Sequence, residues 1–269
     1  MVPHSIPWQV GLVNIGYRQP FCGGTLIGSL HVLSAAHCTE GGRNFNVVVG
    51  EHDIDDHKDG TVMEVENIYE HPQYDSFTMA YDFVIIKLKE KVVLGDTAIH
   101  ACLPTNEMDD DYFVGEKLTV SGWGRLESNG YSPNVLHSVD VPFVPNTVCQ
   151  KKYGIGITDQ MMCAGNIEDG GVDSCQGDSG GMWWCRYQYL KSIKILILIA
   201  AIEYSYTIVV LILTQGPLIL NDARATLVGV VSFGIGCAEA EFPGVYARVP
   251  SVLKWINDTM RGSMVGGIC

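Results

Sequence analysis

Apolar residues come in short runs with alternating or continuous hydrophobicity: "PWQVGLV", "GGTLIG", "HVLSAA", "FNVVVG", "DFVIIKL", "KLTVSGWG", "ATLVGVVSFG" and "PGVYARV". Gly, Pro, Asn and Asp punctuate them. Many short, Val/Ile/Thr/Tyr-rich runs between turn residues predict an all-β barrel or sandwich. The period changes near the C-terminus. In "SVLKWINDTM", Val252, Leu253, Trp255, Ile256 and Met260 share one helical face, and Ser251 stands where an N-cap belongs. Residues 103–116, "LPTNEMDDDYFVGE", are polar and contain Pro, so they read as a crossing between two β units. One stretch fits neither pattern: Ile195–Leu213 is an apolar run interrupted by Glu203.

Composition narrows the class. The chain has 269 residues, 47% of them hydrophobic and 17% charged, which is enough apolar material for a folded core. Its net charge of −13 argues against a nucleic-acid partner, whose phosphates call for Lys and Arg. The acidic clusters at 53–56 and 109–111 read as solvated loops. Nine cysteines point to disulfides and an oxidising compartment. The opening "MVPHSIPWQV" has neither the basic nor the apolar segment of a secretory leader, so either the chain is cytosolic with unusual cysteines or its start is missing.

Three local contexts carry chemistry. A serine is a weak nucleophile until a base stands within hydrogen-bond reach and an acid orients that base. "LSAAHC" offers His37 among small residues, beside a cysteine able to tether it. "YDFVIIKL" offers Asp82, a carboxylate leading an apolar strand, where burial demands a partner. "GDSGG" offers Ser179 between glycines that permit a sharp turn. The backbone N–H groups of Gly177 and Ser179 could bind an oxyanion. Alone, each has a plain structural reading: a core histidine, a turn acid, a flexible loop. Together they stand in the order His, Asp, Ser.

With "PWQVGL", "FCGGTLI", "VLSAAHC", "YDFVIIKL", "VSGWGRL", "MMCAGN", "DSCQGDSGG", "SFGIGC" and "PGVYARV" in order, the chain resembles a trypsin-like serine protease of the chymotrypsin family. The resemblance implies two antiparallel six-stranded β-barrels with a C-terminal helix. Residues 1–103 would form the first barrel and 104–250 the second, with helix and tail over 251–269. It implies His37 as general base and acid, Asp82 as its orienter, Ser179 as nucleophile, and Gly177 and Ser179 as the oxyanion hole. Asp173 would lie at the floor of the primary pocket and select Arg or Lys. Ser174, Gln176, Ser232, Phe233, Gly234 and Gly244 would line the substrate site, with Ser232–Gly234 pairing to the substrate backbone like a strand. Phe233 stands where the family usually has Trp. The implied partners are polypeptides with Arg or Lys at the cleaved position and protein protease inhibitors, in a secreted setting. Neither nucleic acid nor membrane is an expected partner.

The same resemblance implies disulfides Cys22–Cys38, Cys149–Cys163 and Cys175–Cys237, leaving Cys102, Cys185 and Cys269 unassigned. No cofactor is expected. The one metal to weigh is calcium at Glu51–Thr61, a loop resembling the family's calcium loop in which Gly60 or Thr61 stands near the place of the closing acid. Joining "GDSGG" to "PLIL" gives the family's usual continuation and places Leu118 opposite Leu220, where many members have a disulfide. Residues 182–216 therefore read as foreign to the fold, with Gly181 or Gly216 as the junction. Hydropathy alone would allow Ile195–Leu213 into a bilayer, but a span there would separate the two parts of the second barrel. The family's activating "IVGG" terminus, which would pair with Asp178, is absent. The alternative is thus a noncatalytic or zymogen-like homologue that binds through the same grooves.

Overall fold

Alternating burial turns the period-two runs into strands, each presenting one face to a barrel interior. A computed structural model describes residues 1–42, 44–56, 59–104, 108–125, 132–154, 156–167, 216–222, 224–234 and 242–261. The first six strands are β1 Gln9–Asn14, β2 Pro20–Gly28, β3 His31–Ser34, β4 Phe45–Val49, β5 Thr61–Glu70 and β6 Val84–Leu88. They close an antiparallel barrel in the order β1-β2-β3-β6-β5-β4. The next six are β7 Lys117–Gly122, β8 His137–Val144, β9 Met161–Ala164, β10 Pro217–Leu220, β11 Thr226–Phe233 and β12 Gly244–Arg248. They close a second barrel in the corresponding order, β7-β8-β9-β12-β11-β10. The fold is all-β, with a short C-terminal helix.

Four strands lie outside the apolar runs: β9 and β10, buried throughout but only four residues long, and the more polar β5 and β8. β5 is exposed along most of its length and β8 along half of it, so neither shows a clean apolar stripe. The crossing at 103–116 contains a one-turn helix, α1 Asp110–Phe113, whose N-cap Asp109 accepts the Tyr112 N–H at 3.2 Å. Helix α2, Asn146–Tyr153, was hidden by its nearly uniform polarity. The C-terminal helix α3 spans Leu253–Met260 and buries Ile256 and Met260. Ser251 does not cap it. Ser251 lies in a 3-10 turn, Val249–Val252, and its hydroxyl donates back to the Arg248 carbonyl at 2.6 Å.

β10 shows where the chain returns to the barrel. Leu220 pairs with Leu118 of β7, and both side chains are buried. Burying each leucine is worth about 1.5–3 kcal/mol. Gly216 precedes the strand in a place only glycine can fill, since a Cβ there would lie 1.7 Å from the Ser121 carbonyl oxygen. Ile195–Leu213 and most of 182–216 lie outside the described residues. Among the described residues no helix is long and apolar enough to cross a membrane.

The barrels meet along a seam that is apolar in its body and polar at chosen points. One core cluster runs across it, with Leu26 and Phe83 from the first barrel and Leu227, Val230 and Val249 from the second side. Ser121 donates to Gln9 Oε1 at 2.8 Å, and Trp123 donates to the His52 carbonyl at 3.3 Å. Both polar pairs are buried, so each must find its partner across the seam.

Candidate active site

His37 is held first of all by its local chain. Small residues at 34–36 let the chain leave β3 into the 3-10 turn Ala36–Cys38, which buries His37. The Cys22–Cys38 disulfide fastens that turn to β2. Asp82 precedes β6 and is fully buried. Its carboxylate accepts three hydrogen bonds: the His37 backbone N–H at 3.0 Å, His37 Nδ1–H at 2.7 Å and the Ser232 hydroxyl at 2.5 Å. A buried carboxylate needs such compensation. The third donor comes from β11, so the second barrel completes the site of the first.

Burial alone would lower the basicity of His37. The adjoining Asp82 carboxylate, its hydrogen bond and the nearby Glu40 more than reverse this, and the imidazole is raised above its ordinary value. Glu40 is itself fixed by the Tyr74 hydroxyl, which donates at 2.6 Å. Burial, the bond to Glu40 and the neighbouring carboxylates hold that phenol protonated. Thr39 donates to Glu70 at 2.9 Å on the same side. Nothing in the local sequence marked Glu40 or Tyr74, because Tyr74 reaches Glu40 only once the loop over residues 71–83 folds across the site.

On the second barrel, Ser232 and Phe233 end β11, Gly234 follows, and Gly244 opens β12. A Cβ added at Gly234 would lie 3.9 Å from the Gly244 Cα and 4.0 Å from the Tyr153 hydroxyl. Phe233 packs edge-on against Tyr153 at 6.0 Å, and Phe242 does so at 5.7 Å. Tyr153 donates to the Pro243 carbonyl at 2.6 Å. Tyr153 and Phe242 were not singled out in the sequence; their aromaticity was the only signal. The Cys149–Cys163 disulfide ties α2 to β9 beside this cluster. Cys102 is also disulfide-bonded. Asp173, Ser174, Gln176, Gly177 and Ser179, with Cys175 and Cys237, lie outside the described residues, as do Asp178, Cys185 and Cys269.

In the described part of the Glu51–Thr61 loop, acidic side chains are engaged by protein donors. Arg18 donates to Glu51 Oε2 at 3.2 Å. Asp59 Oδ2 accepts the His52 and Asp53 backbone N–H groups at 2.9 and 3.1 Å, while its Oδ1 faces His4 at 3.2 Å. Glu51 Oε1 is buried without a partner. Burial and the acidic neighbours push this carboxyl up to about 7, against the pull of Arg18. Calcium takes about six to eight oxygens. Among the described residues, the only three side-chain donors that converge closely are Cys22, His37 and Cys38, and both cysteines are spent in their disulfide.

Comparison with known proteins fixes the family. The family model described as Trypsin matches residues 1–201 and 216–256. It leaves 202–215 unmatched, a segment inside the stretch read as foreign. Trypsin 5G1 of Aedes aegypti is 36% identical over 94% of this chain and 80% of its own length. The trypsin of Squalus acanthias is 35% identical over 96% of this chain and 92% of its own. In structure, the chain is similar to neuropsin, a serine protease expressed in the limbic system of mouse brain. The TM-score is 0.74 at 29% identity, with 97% of each chain covered. With two six-stranded barrels and a buried His–Asp pair at their junction, the chain belongs to the trypsin family and is a trypsin-like serine endopeptidase.

Proposed function

We propose that the chain cleaves polypeptides after Arg or Lys through an acyl-enzyme formed on Ser179. The observation that carries this reading is the buried His37–Asp82 pair at the junction of the barrels, with Ser232 donating into it. With Nδ1 engaged by Asp82, proton exchange falls to His37 Nε2. Ser179 Oγ attacks the carbonyl carbon as its proton passes to Nε2. Asp82 stabilises the resulting imidazolium without taking the proton. The oxyanion is received by the N–H groups of Gly177 and Ser179. His37 then protonates the departing amine as the C–N bond breaks, and water releases the acyl group by the reverse sequence of proton transfers. Asp173 supplies the negative charge for an Arg or Lys side chain, helped by Ser174 and Gln176, while Gly234 and Gly244 leave room for it. Polypeptide substrates and protein inhibitors approach along Ser232–Gly234. The working compartment is extracellular, in keeping with the disulfides at Cys22–Cys38 and Cys149–Cys163.

The test is hydrolysis of an Arg-peptide ester with pre-steady-state burst titration. Ser179→Ala should lower kcat by about 10⁶. Equal turnover by the variant, or a preference for an uncharged side chain over Arg, would reject the reading. A folded wild type with neither burst nor turnover would instead indicate the binding homologue.

We further propose that residues 182–215 stand outside the two-barrel core, with Gly216 as the junction, so that 1–103 and 104–250 form the barrels around the insert and 251–269 follow as helix and tail. The placement of Leu220 against Leu118 supports this. The Glu51–Thr61 loop works without calcium, its buried charge offset by Arg18. Melting curves in EDTA and in added calcium should then coincide; a rise with calcium would refute the arginine's role.

A further inference from the structure

Asp82 projects from a backbone conformation that needs outside support. The Phe83 N–H closes on the Tyr81 carbonyl at 2.7 Å, which makes Asp82 the middle residue of a tight three-residue turn. Tyr81, just before it, has φ 51°. A bulky side chain in the left-handed region costs roughly 1–2 kcal/mol. Packing holds the Tyr81 ring: it stacks on His71 at 4.7 Å with an interplanar angle of 3°, and Trp255 of α3 meets His71 edge-on at 4.8 Å. Ring packing alone does not fix the peptide. The Tyr81 N–H does so by donating to Gln160 Oε1 at 2.8 Å, across the seam from the segment leading into β9.

Gln160 is built to receive that bond. It is 6% exposed. Its Nε2 donates to Thr158 Oγ1 at 2.6 Å, and its carbonyl accepts the Arg248 N–H at 2.9 Å. Both ends of the residue are therefore anchored in the second barrel. Ser232 grips the Asp82 carboxylate from the same barrel.

We propose that Gln160 is a positioning residue for the His37–Asp82 pair, holding the strained Tyr81 peptide so that the Asp82 carboxylate meets His37 Nδ1. The catalytic consequence rests on the proposed function. When the acceptor is lost, Tyr81 relaxes toward negative φ, and the carboxylate turns away from the imidazole. Among the described residues, the charged groups facing His37 are Asp82 and Glu40, the latter held by Tyr74. Loss of the Asp82 contact therefore removes the main influence that raises the imidazole's basicity.

The experiment compares wild type, Gln160→Leu and Gln160→Glu by kcat and KM on an Arg-peptide ester across pH, by melting temperature, and by the downfield proton NMR signal of His37 Nδ1–H. Gln160→Leu should lower kcat about ten- to a hundredfold with KM within about twofold. It should also move the acid limb of kcat/KM to lower pH and weaken or shift the NMR signal. Gln160→Glu keeps an acceptor oxygen and should restore all three. A Gln160→Leu protein that loses only melting temperature, with wild-type kcat, acid limb and NMR signal, would overturn the proposal. If wild type itself does not turn over the ester, the proposed function fails, and the NMR signal decides alone: altered in Gln160→Leu supports the role, unchanged removes it. If Gln160→Leu does not fold, Thr158→Val is used, which releases the amide without deleting it. It should show a milder version of the same pattern, and wild-type values in every readout would overturn the proposal.

Discussion

The two barrels share one strand order but differ in the link that precedes their closing strand. In the first, β3 leads to β4 through residues 35–44, which carry His37; in the second, β9 leads to β10 through residues 165–216, which contain Ser179 in sequence. The proposed base and the proposed nucleophile thus fall in equivalent links of the sequence, although the second link is about five times longer. Lengthening a flexible link by that factor costs only about 1.5 kcal/mol in closure entropy. The closing strands are set by what they pair with: Leu12 opposite Val47 in one barrel, Leu118 opposite Leu220 in the other. Link length is therefore a weak determinant of this fold, and the buried cross-strand pair a strong one.

The largest effect should come from breaking that pair. Leu118→Ala removes a fully buried side chain and should cost about 2–5 kcal/mol in denaturant unfolding. Leu12→Ala, at the matching place in the first barrel, should cost a similar amount. If Leu118→Ala costs less than about 1 kcal/mol while Leu12→Ala is severe, the second barrel is not closed by this register.

How much of this was legible varied with the kind of residue. Strands such as β6, with four of five positions buried, announce themselves by apolar content. His37 and Asp82 could be singled out because each sits in a distinctive local context, and the structure pairs them. Ser251 was misread as a cap because a serine before an apolar face is equally suited to a 3-10 turn whose hydroxyl bonds backwards. Gln160 and Tyr74 carried no sequence signal at all. A lone polar residue gains its meaning from the chain it meets, and Gln160 meets Tyr81 79 positions away.

Shortening the long link sharpens the comparison with a smaller effect. Joining Gly181 to Pro217 by deleting 182–216 keeps a glycine before β10, where a Cβ would collide with the Ser121 carbonyl. If only closure entropy separates the two links, the deletion should stabilise the protein by about 1–1.5 kcal/mol and leave both barrels intact. The fraction of protein titrating in the burst assay should not fall. Loss of folding on deletion would mean that 182–216 is an integral part of the second barrel.

The smallest effect concerns the Glu51–Thr61 loop of the first barrel. The Glu51 carboxyl is pushed up to about 7 from an ordinary 4.5, chiefly by burial. Between those values the folded chain keeps a proton that the unfolded chain releases. The folded state is favoured by this group below about 4.5, and that contribution is lost as pH rises through about 7. Arg18 limits the loss by meeting Oε2, and Oε1 remains the unpaired oxygen once the proton leaves. Glu51→Gln removes the titration while keeping the side chain's size. Wild type should therefore lose ground to Glu51→Gln between about pH 5 and about pH 8, read as the difference between their melting temperatures at each pH. The first barrel would then have a weak point that alkali reaches. A difference that stays constant across that range, or that moves in favour of wild type, would show that Glu51 is ionised throughout and that Arg18 alone satisfies it.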